Sequence, residues 1–142
     1  MKKCNHNGIE YVAMKRFRPI NNDYRLLVPY EIQTEITGCS IKKELIELHP
    51  DGLLCLHKGF WWNGPSGPTV DTENFMRGSL VHDALYRLRR WKLLPWTVRE
   101  YADDLLYEIC IEDGMSAFRA GYVHTAVRMK GLPSALPGGD HI

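Results

Sequence analysis

Residues 82–86 read His-Asp-Ala-Leu-Tyr, and the acidic pair Asp103-Asp104 follows about one helical hairpin later. Just upstream lies a Gly/Pro-rich loop, Asn63-Gly64-Pro65-Ser66-Gly67-Pro68. These residue types can build a site: an imidazole as base, a carboxylate for a metal or a charge, and a phenol as hydrogen-bond donor. On a helix His82 and Tyr86 sit one turn apart on a shared face, while Asp83 points further round. On the next helix Asp103 flanks the Leu106/Cys110 side and Asp104 points out. An antiparallel hairpin of the two helices brings Asp103 to His82. The carboxylate would then fix the imidazole tautomer and stabilise the imidazolium formed when His82 takes a proton from water. Asp83 is left to hold a hard cation, with backbone carbonyls of the 63–68 loop as oxygen ligands suited to calcium. Such a cation polarises a carbonyl or phosphoryl oxygen under attack. Trp61 and Trp62 can form a ligand platform beside the loop.

Each piece also has a purely structural reading. His82 can be a core histidine bonded to a backbone carbonyl. Asp103 can pair with Arg99, and Asp83 with Arg87, at i, i+4. The loop can be a tight connector, and the two tryptophans core lids.

The elements that must position these residues divide the chain into a β half and an α half. Residues 25–36 end in an alternation with Tyr30, Ile32, Thr34 and Ile36 on one face and Glu31, Gln33 and Glu35 on the other. Pro29 marks a sheet edge or a strand start. Residues 41–48 and 53–58 flank Pro50-Asp51-Gly52, a hairpin signal. These strands predict a small antiparallel sheet. Asp71 or Thr72 can cap a first helix running to about Leu93, with Val81, Ala84, Leu85, Leu88 and Trp91 as its apolar stripe. Leu94-Pro95-Trp96 breaks it. Thr97 as N-cap and Glu100 at the capping-box position start a second helix over 98–112. Its core side is Val98, Tyr101, Ala102, Leu105 and Ile109, and Gly114 closes it. A third helix over 115–130 carries Met115, Phe118, Tyr122, Ala126 and Met129, with Gly131 ending it. The expectation is an α+β fold, an N-terminal antiparallel sheet packed against a C-terminal three-helix region. Residues 1–132 are expected to form a single domain, and 133–142 a flexible tail.

Composition bounds the function classes. With 44% hydrophobic and 25% charged residues, the 142-residue chain matches a globular domain. A net charge of +1 gives no reason to expect nucleic acid or acidic membranes as partners. The cluster Arg87, Arg89 and Arg90 reads as the solvated end of a helix, where cations suit the dipole. The four cysteines, at 4, 39, 55 and 110, have no CxxC spacing, so free thiols in a reducing compartment are the default. The N-terminal stretch is too polar for a signal peptide, and no run has the apolar length to span a bilayer. A soluble protein made in the cytosol is the expectation, and one that acts outside would leave by another route, such as cell lysis or assembly into a larger particle.

Two resemblances attach to these residues. From about Leu26 to Gly131, Leu80-Val-His-Asp-Ala-Leu-Tyr86, Arg99-x-x-x-Asp103 and a last helix ending Ala126-Val-Arg-Met-Lys-Gly131 resemble an uncharacterised family of small bacteriophage, prophage and bacterial proteins. That family carries a His-Asp-x-Leu-Tyr signature, preceded by a Thr-Asp-x-Ala-Ser-x-Pro-like stretch of which Val70-Asp71-Thr72-Glu73 keeps only the Asp. It implies a phage context. Over roughly 45 residues, His82-Asp83-x-x-Tyr86 followed by Ala102-Asp103 is similar to the phospholipase A2 superfamily, especially its disulfide-free viral capsid members. That resemblance implies His82 as the water-activating base, Asp103 as the carboxylate orienting it and Tyr86 as the hydrogen-bond partner of Asp103. It implies Asp83 as a calcium ligand, and Gly64 and Gly67 in the calcium loop. The bracing cysteines of the secreted enzymes are absent, and Pro65 and Pro68 alter the loop.

The leading expectation is a phage-encoded accessory protein with a His-Asp hydrolase-like site, using calcium and acting on a phospholipid or other ester. The alternative is a non-catalytic phage protein, a virion component or a binder of a host factor, in which His82, Asp103 and Tyr86 form a structural network. A third reading, a metal-dependent phosphohydrolase, would recruit further histidines from His49, His57 and His124.

Overall fold

The computed structural model describes the backbone of residues 3–15, 22–63 and 72–135, and the side chains of residues 7–13, 23–63 and 72–129. The chain is α+β, with antiparallel sheets in its N-terminal half and three helices in its C-terminal half. It forms two compact units, Met1–Asn63 and Gly64–Ile142.

The first unit contains two four-stranded sheets where the sequence suggested one. The first sheet has the order β1 (Lys3–His6), β2 (Ile9–Lys15), β3 (Asn22–Leu26) and β8 (Trp61–Trp62). The second has the order β4 (Tyr30–Gln33), β7 (Leu53–Leu56), β6 (Ile46–Leu48) and β5 (Ile41–Lys43), and all pairings are antiparallel. The continuous 25–36 segment is divided: residues up to Leu26 pair with β2, and those from Tyr30 pair with β7. Pro29 stands at the changeover, where a residue without an N–H interrupts a ladder at least cost. Residues 41–48 are likewise a hairpin, turning at Glu44 with φ +53°.

The expected hairpin at Pro50-Asp51-Gly52 is present between β6 and β7. Gly52 has φ +94°, and a Cβ there would meet the Thr34 carbonyl oxygen at 2.3 Å. That carbonyl neighbourhood is part of the ladder: Thr34 N–H donates to Gly52 O at 2.9 Å, and Thr34 Oγ1 does so at 2.7 Å. In the first sheet Tyr11, Tyr24 and Trp62 are buried with ring centroids 5.5–5.8 Å apart.

In the second unit α1 spans Glu73–Arg90, α2 Val98–Glu112 and α3 Ala117–Ala135. Helix α1 buries more than its apolar stripe: from Phe75 to Arg89 every residue except Asp83 is buried. The arginine cluster is accordingly not a solvated helix end, since Arg87 and Arg89 are buried and Arg89 Nη1 donates to Leu94 O at 2.8 Å. Lys92, with φ +62°, ends the helix, and the Lys92 and Leu93 N–H groups return to Arg89 O and Leu88 O. Gly114 ends α2 as expected, with Gly114 and Met115 N–H donating to Ile111 O and Cys110 O. The capping box at Thr97 does not form. Thr97 makes no side-chain cap bond, and the first donors, Val98 and Arg99 N–H, reach Pro95 O and Trp96 O instead. Helix α3 continues past Gly131 to Ala135; one glycine costs only about 1 kcal/mol in a helix.

Helix α3 also turns a different face inward. Among its described side chains the buried ones are Ala120 and Val123, which join Phe75, Leu106, Cys110 and Met115 in a common core. Phe118, Tyr122 and Met129, which carried the expected stripe, are exposed. Among the described residues no helix is long and apolar enough to cross a membrane.

Candidate functional site

Helices α1 and α2 run antiparallel, and Gly78 sets how closely they meet. A Cβ at Gly78 would lie 2.8 Å from Leu106 Cδ1 and 3.1 Å from Cys110 Sγ. Residues 78, 82 and 86 form one i, i+4 ridge, so the close approach at Gly78 carries His82 and Tyr86 against α2. Arg77 secures the end of this contact through Asp113, at 2.9 and 3.0 Å, and Glu112, at 2.7 Å.

Asp103, fully buried, is where the ridge converges. Its Oδ1 accepts from His82 Nε2 at 2.8 Å and from the Tyr86 hydroxyl at 2.6 Å. Its Oδ2 accepts from Arg128 Nε at 2.9 Å and has Arg99 Nη1 at 3.7 Å. Burial alone would push the Asp103 pKa up, but the hydrogen bonds from His82, Tyr86 and Arg128 outweigh it and hold the carboxyl low. For Tyr86 burial and the Asp103 carboxylate act together, so its phenol is driven far up and remains a donor.

An ionised carboxylate has only acceptors, so His82 must present Nε2–H to it. In the neutral ring this leaves the lone pair on Nδ1. His82 Nδ1 has no partner among the described residues, and it is not one of the side-chain nitrogens sealed from solvent without one. The His82 ring lies over Tyr86 with centroids 4.1 Å apart and planes at 34°. Its overall exposure is 9%.

The remaining sequence-derived candidates fall elsewhere. Asp83 accepts from Arg87 Nη2 at 3.0 Å, the i, i+4 pair weighed from sequence. Gly64, Gly67 and Asp71 lie outside the described residues, as does the rest of the 64–68 loop. Among the described residues no group of three or more His, Cys, Asp or Glu side chains is placed to hold a metal. Trp62 is fully buried in the aromatic cluster of the first sheet, while Trp61 is about half exposed. His57 bonds to Glu47 within the sheet unit, and His124 bonds to Asp104 at 2.8 Å.

Sequence reasoning missed Arg128 and Gly78. Arg128 lies 25 residues from Asp103, and no local pattern marks it. Gly78 could have been found: a glycine one turn before His82, inside a helical pattern, signals close backbone packing.

These contacts define a class of arrangement, a His–Asp–Tyr cluster on an antiparallel helical hairpin with an arginine from a third helix behind the carboxylate. No family model, no curated protein and no solved structure matches the chain.

Proposed function

We propose that the chain is a phage-encoded accessory protein with a hydrolase-like site, in which His82 is the general base and Asp103 orients it. The observation that carries this reading is the orientation of the imidazole. Nε2 is committed to a buried carboxylate at 2.8 Å, and Nδ1 keeps its lone pair for a water proton. Hydrogen bonds from His82, Tyr86 and Arg128 keep Asp103 ionised, so the imidazolium formed on proton transfer would be stabilised where it forms. The substrate class that goes with the resemblance is a phospholipid or another ester. The implied calcium would have Asp83 as its described side-chain donor, and Arg87 would have to leave that carboxylate. No step of the proton transfer depends on it.

A second reading has its own support. Asp103 is wholly enclosed and meets four partners, and His82 is nine-tenths buried. That is how a structural polar network is built. In this reading the chain is a virion component or a binder of a host factor.

One variant separates the two. If His82 is the base, His82→Gln leaves the melting temperature within a few degrees and lowers hydrolysis of phospholipid vesicles or a model ester by orders of magnitude. If the cluster is structural, wild-type protein hydrolyses neither substrate and His82→Gln lowers stability by about 1–3 kcal/mol. The calcium component is tested by melting with added calcium, which should raise the transition of wild type and not of Asp83→Asn.

A further inference from the structure

The outer face of α2 and α3 has features that the His82 cluster does not use. Along α2, Glu100, Asp104, Glu108 and Glu112 recur every fourth residue and all are exposed. Along α3, Phe118, Tyr122 and Met129 are 89%, 51% and 77% exposed. Their spacing puts them on one side of the helix, turned away from the Ala120/Val123 core face. Between the two helices lies an open cleft of about 430 Å³, lined by Asp104, Tyr107, Glu108, Gly121 and His124. Tyr107 and His124 meet edge to face, 6.0 Å apart, in its wall. At Gly121 a Cβ would meet nothing within 4 Å, so a partner can come close to the α3 backbone there.

Shape and charge select the occupant. A groove between two antiparallel helices accepts a third helix lying along it. One flank carries the exposed Phe118, Tyr122 and Met129, side chains suited to the apolar side of a helix. The other flank is a carboxylate ridge. Like charges four residues apart disfavour a helix on its own. Glu100, Asp104 and Glu112 already have Arg99, Arg128 and Arg77 within ion-pair distance, but Glu108, on the cleft wall, has no partner among the described residues. Cations from outside would complete this ridge, whereas nucleic acid and anionic membrane would be repelled by it.

We infer that the α2–α3 face docks a basic amphipathic helix of a partner protein. Its apolar side would lie on Phe118, Tyr122 and the cleft, and its lysines or arginines on the Glu100–Glu108 ridge. This inference stands apart from the reading of His82.

The probe is a synthetic helical peptide of ~18 residues, about five turns, with leucines at helical spacing on one face and lysines on the other. Fluorescence anisotropy with the full chain should show micromolar binding that weakens as salt is raised. Glu108→Lys and Gly121→Trp should each weaken it by about tenfold or more, and His82→Gln should leave it unchanged. Glu108→Lys decides the matter if Gly121→Trp does not fold. Three results would overturn the inference: no binding by the lysine peptide, equal binding by a scrambled peptide, or equal binding by a peptide with glutamate in place of lysine. A dimer in sedimentation that Gly121→Trp abolishes would assign the face to a second copy of the chain and also overturn it.

Discussion

Arg128 Nε donates to Asp103 Oδ2 at 2.9 Å, so a fully buried carboxylate on α2 is held by a cation from α3. The same guanidinium extends through Nη2 to Asp104 Oδ1 at 2.9 Å and to Glu100 O at 3.2 Å. Asp103 and Asp104 are neighbours in sequence with opposite burial, and Arg128 serves both. Arg128→Met should therefore cost more than a surface ion pair. Removing a charge-assisted bond to a buried carboxylate costs roughly 1.5–3 kcal/mol. Urea unfolding should show this loss, and Arg128→Lys should recover only part of it, because an ammonium cannot span both carboxylates as a planar fork does. A loss below about 0.5 kcal/mol, the level of exposed pairs, would show that Arg128 is dispensable to Asp103.

The low pKa of Asp103 sets a pH dependence. Its folded value lies below that of the unfolded chain, so the native state binds fewer protons there and is favoured above the unfolded value of about 3.9. The contribution is complete above that range and is lost as pH falls through the depressed folded value. Stability followed from pH ~6 to ~3 should drop more in wild type than in Asp103→Asn. Parallel curves would mean that Asp103 does not contribute to acid sensitivity.

Tyr86→Phe removes one donor from Asp103 Oδ1 and leaves His82 in place. The expected stability loss is about 1–3 kcal/mol. If His82 acts as a base, rate also falls, because a less fully bonded carboxylate holds the imidazole less firmly. A stability loss with hydrolysis unchanged would confine Tyr86 to a structural role.

Gly78→Leu tests whether the approach of α1 to α2 sets the cluster. The new side chain must displace Leu106 and Cys110, and overpacking of this kind typically costs about 1–3 kcal/mol. Leucine is the better helix former by roughly 0.5–1 kcal/mol, so a net gain in thermal stability would mean that the helices separate without penalty.

Gly52→Ala should be the most damaging small change in the second sheet. It forces a Cβ toward the Thr34 carbonyl at a positive φ, straining the turn that joins β6 to β7. Loss of amide protection in Leu53–Leu56 by hydrogen exchange, with α2 unaffected, is the expected signature. Uniform protection across both would mean that the turn adapts.

Much of the secondary structure was legible because its signals are local. Gly114 and the 50–52 turn need a backbone conformation that few residues adopt, and the helical stripe of α1 follows from periodicity. The His82–Asp103 pairing was legible too, since two helices joined by a short break place i, i+4 faces opposite each other. The hairpin of β1 and β2 was missed although Asn7-Gly8, with φ +54° and +85°, is a direct turn signal. The inward face of α3 was misread because Phe118, Tyr122 and Met129 have the spacing of a core stripe. Smaller Ala120 and Val123 fill the space beside Phe75 and Leu106 instead.

The sequence by itself determined the helical hairpin, the ridge that carries His82 and Tyr86, and the carboxylate they meet. Only the tertiary structure decided what stands behind that carboxylate. The reason is physical: a buried charge takes its counter-ion from whichever helix packs nearest, and packing joins residues that no spacing rule connects. Arg128 reaches Asp103 for that reason, as Gly78 reaches Leu106.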